Sequence, residues 1–125
     1  MKIGMCMFLW TTHIGPEHKP LLADLRETGF DGVEVPIFEG SPDDFAATAR
    51  MLDDLGLERT AVAADGDPAR NLISDDAAAR DAGIAHMSWV LDCCDALGAD
   101  RVCGPLHSTL GHLTGAGPTA AGRDR

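Results

Sequence analysis

Thr28-Gly29-Phe30-Asp31-Gly32-Val33, Leu55-Gly56-Leu57-Glu58-Arg59-Thr60 and Leu97-Gly98-Ala99-Asp100-Arg101-Val102 are three versions of one short phrase. Each puts a glycine behind a helical pattern, then an apolar residue, an acidic residue, a spacer and a β-branched residue that opens an apolar run. Glycine takes the left-handed backbone that closes a helix, and the apolar residue packs back on the helix just left. The chain then enters a strand at a fixed offset. Three such joints predict repeated βα units and a parallel sheet.

Outward from the joints, the remaining segments fit that alternation. Ile3 to Leu9 is an apolar run that reads as the first strand, followed by a helix carrying Leu21, Leu22, Leu25 and Arg26 and closing at Gly29. Val33-Glu34-Val35-Pro36 is the second strand. Ser41-Pro42-Asp43-Asp44 gives the next helix a cap, a first-turn proline and carboxylates at the positive end of its dipole; Phe45, Ala49, Leu52 and Leu55 form its apolar stripe up to Gly56. Thr60-Ala61-Val62-Ala63 is the third strand and Asp65-Gly66-Asp67-Pro68 a turn. Ser74 is expected to open the longest helix, with Ala82, Ala85, Trp89, Cys93, Ala96 and Leu97 facing inward. Arg101-Val102-Cys103 is the fourth strand. Beyond Gly104 the chain is loop-like, with Gly111, Gly115, Gly117 and Pro118, and Thr119 to Arg125 carries no apolar pattern. Two α/β architectures satisfy the pattern: a small doubly wound, flavodoxin-like sheet, and part of a β/α barrel, a fold that typically takes about 250 residues.

The chain has 125 residues, 45% of them hydrophobic, which is enough apolar material for one folded core. A formal net charge of -10 argues against nucleic acid as a partner, because too few cations are present to neutralise a run of phosphates. No stretch has the apolar length of a membrane span and the first residues lack a secretory cleavage pattern. Cys6, Cys93, Cys94 and Cys103 contain no C-x-x-C pair and fit neither a disulfide framework nor a zinc site, so a reducing cytoplasm is the expected setting. Cys93-Cys94 reads as a small apolar packing pair.

In either architecture ligands meet the carboxyl ends of the strands. The residues there are Leu9, Trp10 and His13; Glu34, Pro36 and Glu39; Ala64 and Asp65; and Gly104, Leu106, His107 and Ser108. Glu34, a carboxylate between two valines, must be paired with an Arg or His, hydrogen-bonded or functional. Trp10 is placed to stack on a sugar or to pack a strand end. His13, Glu17 and His18, or His107 with His112, are too few and too poorly spaced for a metal site. No G-x-G-x-x-G, G-x-x-x-x-G-K-[ST] or G-x-S-x-G is present, so dinucleotide, P-loop and nucleophile-elbow chemistry lack their frames.

Lys2-Ile3-Gly4 with Trp10, Thr28 to Val35, Asn71-Leu72 with Ser74 and Asp76, Leu97-Gly98-Ala99 and Gly104-Pro105-Leu106-His107-Ser108 form an ordered set. That set resembles the xylose-isomerase-like sugar phosphate isomerase/epimerase superfamily, nearest its D-tagatose/D-psicose 3-epimerase branch, from Met1 to about Pro118. The resemblance implies the N-terminal half, about four βα units, of a (β/α)8 TIM barrel over 1–118, with 119–125 a truncated or disordered tail. It implies a sugar or sugar phosphate substrate and a homo-oligomer when complete. It also implies a divalent metal (Mn, Mg or Co) that polarises a ketose carbonyl while two glutamates exchange a proton through an enediolate. In that family the metal ligands lie in the second half of the barrel. For this chain the resemblance therefore implies no catalytic and no metal residue, with Trp10, Glu34, Leu106, His107 and Ser108 as substrate-pocket wall. Cys6 stands where the epimerases commonly carry an aromatic residue, and Thr109-Leu110 replaces an aromatic pair, which leaves other sugar or sugar-phosphate isomerisations open. A truncated, frame-shifted or split product, inactive by itself, is the leading expectation. A self-sufficient flavodoxin-like binding domain and a half-barrel that assembles with another chain are the alternatives.

Overall fold

A computed structural model of the chain describes residues 1–111 together with 113, 115, 117, 119 and 120. The boundary placed at Pro118, the His112 candidate and 121–125 lie outside the described residues. Among the described residues, four strands, β1 (Gly4–Cys6), β2 (Gly32–Pro36), β3 (Glu58–Val62) and β4 (Val102–Cys103), pair in parallel in the order β1-β2-β3-β4. Three helices follow the first three strands: α1 (Lys19–Thr28), α2 (Pro42–Leu55) and α3 (Ala77–Leu97). Sequential order decides between the two architectures. A doubly wound sheet reverses strand order at a switch point, whereas a barrel wall adds each strand beside the last. The flavodoxin-like alternative is thereby corrected.

The three joints fold alike. Gly29, Gly56 and Gly98 have φ of 105°, 65° and 71° and donate to the carbonyls of Arg26, Asp53 and Asp95. The next residues, Phe30, Leu57 and Ala99, reach back five positions to Leu25, Leu52 and Cys94. These paired bonds are the Schellman closure, which satisfies carbonyls a helix end leaves open. The acidic position then ties strands together. Asp31 accepts from the Ile3 amide at 2.7 Å through its side chain, and Glu58 pairs with Lys2.

Alternation along the strands separates two faces. Met7, Val33, Val35, Ile37, Ala61 and Ala63 are buried with Leu22, Leu25, Phe45, Leu52, Val90, Cys93 and Leu97, so the helices cover one side of the sheet. Cys6, Glu34, Thr60 and Cys103 sit at alternate positions, on the other side. Arg59 fastens α2 to β3 by donating to the Ala49 carbonyl at 2.9 Å and pairing with Asp53.

Three local expectations are corrected. The first strand ends at Cys6, and Met7–Leu9 is a 3-10 turn in which the Met7 carbonyl accepts from Trp10 and Thr11; an apolar run alone cannot separate a strand from a buried turn. The cap of α3 is Asp76, which accepts from the Ala78 amide, while Ser74 accepts from Asp76 one turn earlier. The buried stripe of α3 is Ala79, Gly83, Val90, Cys93, Cys94 and Leu97, and Ala85 is exposed. Small residues on all sides of this helix blur the period. Both Cys93 and Cys94 are buried and free, and burial pushes the Cys93 thiol up to about 11.

Candidate functional site

On β2, Glu34 lies level with Cys6 of β1 and Thr60 of β3. Its partners are two thiols, neither an Arg nor a His. Cys103 Sγ of β4 donates to Glu34 Oε1 at 3.0 Å, and the Cys6 thiol hydrogen-bonds to the same carboxylate. Burial and then the Glu34 bond push Cys6 up; for Cys103 the Glu34 bond is the larger cause and burial follows. A carboxylate stabilises the protonated thiol, so both cysteines act as donors rather than nucleophiles near neutral pH.

This layer forms one side of a cavity of about 630 Å³, whose lining includes Gly4, Cys6, Gly32, Glu34, Thr60 and Arg101. The lining residues are mostly those that enter the strands, so the cavity occupies the amino-end half of the uncovered sheet face. Trp10, Leu106, His107 and Ser108 line none of it. The structure thus brings Glu34 together with Cys6 and Cys103, and places the other pocket-wall candidates at the opposite, carboxyl end.

At the carboxyl end, Trp10 caps the 3-10 turn after β1 and is 49% exposed. Nearby, Phe8 stacks on Phe38 with ring centroids 4.9 Å apart. After β4, Gly104 has φ of 138°, and a Cβ there would lie 1.9 Å from the Ala63 carbonyl oxygen, so only glycine allows the loop to leave beside β3. Leu106 is half-buried, with its amide on the Gly104 carbonyl at 2.9 Å; His107 is exposed and Ser108 half-buried.

The loop after β3 holds this segment in place. The Asn71 side chain accepts from the Thr109 amide at 3.3 Å, the Asp67 carbonyl from Thr109 Oγ1 at 3.3 Å, and the Asp65 carbonyl from the Leu110 amide at 2.7 Å. Asp65 is itself buried, and its Oδ1 accepts from Arg70 Nη2 at 3.0 Å and from the Asp67 amide at 2.9 Å. Arg70 Nη1 lies 3.3 Å from His86 Nδ1, and His86 Nε2 is 3.8 Å from Asp65 Oδ2. Burial and the Arg70 charge lower the His86 pKa against the opposing pull of Asp65, which keeps the ring neutral. His86 also stacks on Trp89, ring centroids 5.2 Å apart.

Sequence reasoning named Asp65 as a strand-end residue but missed Arg70 and His86. No local pattern joins a residue in a turn to one on a helix two turns in. Among the described residues, no three His, Cys, Asp or Glu side chains are grouped to hold a metal ion. The donors present do not fit the divalent metal that the resemblance implies, and no chemical step runs through one here. No helix among the described residues is long and apolar enough to cross a membrane.

Sequential parallel strands with helices on one side define a β/α-barrel wall, with candidate ligand groups at its carboxyl end. The family model described as a xylose isomerase-like TIM barrel matches residues 22–124, and the chain belongs to that family. It is 32% identical over 111 residues to a ketose 3-epimerase of Arthrobacter globiformis, a match that takes in 88% of this chain and 38% of the relative. A D-psicose 3-epimerase crystallised in the presence of D-fructose superposes with a TM-score of 0.77 at 29% identity, over 98% of this chain and 43% of that one. An L-ribulose 3-epimerase superposes with a TM-score of 0.82 at 24% identity, over 98% and 41%, and shows the fold alone. The chain spans about two fifths of the length of these relatives.

Proposed function

We propose that this chain supplies the β1–β4 wall of a cytoplasmic sugar or sugar-phosphate isomerase/epimerase barrel of the ketose 3-epimerase kind. The 32% identity to a ketose 3-epimerase along 88% of the chain carries the reading. Trp10, Leu106, His107 and Ser108 then form the substrate wall at the carboxyl end: the indole offers a flat apolar face to a sugar ring, and the imidazole and hydroxyl offer hydrogen bonds to its oxygens. Glu34 stands deeper, as the carboxylate held by Cys6 and Cys103, and reaches substrate through that layer. The reaction class is proton exchange beside a ketose carbonyl, whose base, acid and Mn, Mg or Co ligands are supplied from outside the described residues. The 125-residue chain by itself binds sugar without turning it over.

Titration with D-fructose, read through tryptophan emission and amide NMR shifts, tests this. The expected result is saturable, millimolar binding that shifts residues 106–108, is lost in Trp10→Ala and is weakened several-fold in His107→Ala, with no epimer formed. Absence of any shift up to about 100 mM sugar, or binding unchanged in both variants, would overturn it; millimolar sites correspond to about -4 kcal/mol.

A further inference from the structure

Leu106, His107 and Ser108 hang between two anchors, Gly104 against β3 and Thr109-Leu110 against the loop after β3. The second anchor is built on the backbone carbonyls of Asp65 and Asp67 and on the buried Asn71 side chain, so the place of those groups decides the place of the segment. One side chain ties that loop to the helix layer. Arg70 ends the 3-10 turn Pro68–Arg70, and its guanidinium lies 3.0 Å from Asp65 Oδ1, 3.6 Å from Asp67 Oδ2 and 3.3 Å from His86 Nδ1 of α3. The turn rests on α3 so closely that a Cβ at Gly83 would be 2.7 Å from the Arg70 carbonyl oxygen. Glycine weakens a helix interior, and here it admits the turn.

We propose that Arg70 is a positioning residue for the sugar wall: acting through Asp65 and Asp67, with His86 keeping its guanidinium in line, it sets where His107 and Ser108 meet a substrate. The inference rests on the reading of 106–108 as substrate wall.

Burial makes Asp65 depend on Arg70. The Asp65 side chain is 8% exposed. Among the described residues its Oδ2 has no hydrogen-bond partner, so its charge is met at Oδ1, by Arg70 and the Asp67 amide. Removing the cation leaves a buried carboxylate uncompensated, and the carboxylate gains water only if the loop moves outward. The Asp65 and Asp67 carbonyls go with it, and Thr109 and Leu110 follow. His86 adds a proton dependence. A guanidinium only donates, so His86 Nδ1 accepts from Arg70 and the ring proton sits on Nε2, 3.8 Å from Asp65 Oδ2. Among the described residues, the charged groups facing the ring are Asp65 from the loop and Arg70 from the turn, with Asp67 behind Arg70. A second proton turns Nδ1 into a donor aimed at Arg70 and draws Nε2 toward Asp65, so ring and guanidinium then compete for one carboxylate. Burial and the Arg70 charge hold the His86 pKa below the ordinary histidine value, which puts that exchange at acid pH.

Amide NMR shifts of Thr109 and Leu110 in the purified chain, without sugar, are the first test. Arg70→Ala should displace both, and added methylguanidinium should return them toward wild type where an equal concentration of sodium chloride does not. Lowering the pH should move the same amides in the wild-type chain. Because His107 lies two residues from Thr109, the signature is the part of that response that His86→Gln removes. Shifts unchanged in Arg70→Ala, displaced shifts that methylguanidinium fails to restore, or a pH response that His86→Gln leaves whole would each overturn the proposal. If Arg70→Ala does not fold, the pH comparison decides alone. Titration with D-fructose then reads the wall: binding should be several-fold weaker in Arg70→Ala and recover with methylguanidinium. Unchanged affinity beside displaced amides would reduce Arg70 to a structural residue and overturn its positioning role. Absence of sugar binding in the wild-type chain sinks the sugar reading instead, and the amide shifts still judge whether Arg70 places the segment.

Discussion

Glu34 shows how one side chain can organise a layer without a countercharge. A carboxylate among apolar neighbours is costly unless its oxygens are hydrogen-bonded. Here two S–H donors supply the bonds, one from the adjacent β1 and one from β4, which reaches Glu34 across β3. The arrangement predicts the chemistry of the thiols. Glu34→Gln removes the charge that favours the protonated thiol, so the Cys6 and Cys103 pKa values fall and both react faster. With iodoacetamide at about pH 8, Cys103, the exposed one, should label several-fold faster in the variant. Cys93, pushed up to about 11 by burial and clear of Glu34, should label at an unchanged slow rate and serves as the internal reference. Equal Cys103 rates in both proteins, measured by mass spectrometry of the alkylated peptides, would mean that the Glu34 bond does not control the thiol.

At the scale of elements, the joints between helix and strand were legible because their causes are local. A glycine, an apolar residue and an acid within four positions specify the Schellman turn and the entry into the sheet, and all three copies fold as the spacing requires. The end of β1 was not legible, since the turn at Met7–Leu9 follows from where the Met7 carbonyl finds donors rather than from hydropathy. The candidate site was legible as positions but not as contacts. Cys103 and Glu34 are 69 residues apart, and Arg70 and His86 are 16 apart across a turn and a helix, distances at which no periodicity operates. Gly104 joins the two cases, its need for glycine set by the Ala63 carbonyl rather than by its own segment. Gly104→Ala must move the β4 exit away from β3, so it should cost about 2–4 kcal/mol in urea unfolding, beyond the ~1 kcal/mol typical of a left-handed glycine alone. The same substitution at Gly98, where a Cβ meets nothing within 4 Å, should cost only that smaller amount. Similar losses at both positions would remove the close approach as the controlling feature.

For the molecule as a whole, the decisive feature is a sheet covered by helices on one side only. The other side holds the Glu34 layer and the cavity. The chain carries 20 acidic and 10 basic residues, and the resulting self-repulsion opposes compaction. Exposed ion pairs such as Lys2 with Glu58 and Arg101 with Asp100 act the other way, but pairs of this kind are worth about 0–1 kcal/mol. Repulsion between exposed charges is screened as the Debye length falls from about 10 Å at 0.1 M salt toward 3 Å at 1 M. Sodium chloride should therefore stabilise this chain. Between 0.05 and 0.5 M, the melting temperature should rise by roughly 3–6 °C, the shift that ~1 kcal/mol produces in a domain near this size. A melting temperature that falls with salt would place the dominant electrostatics in the ion pairs instead, and the net charge would then have no purchase on stability.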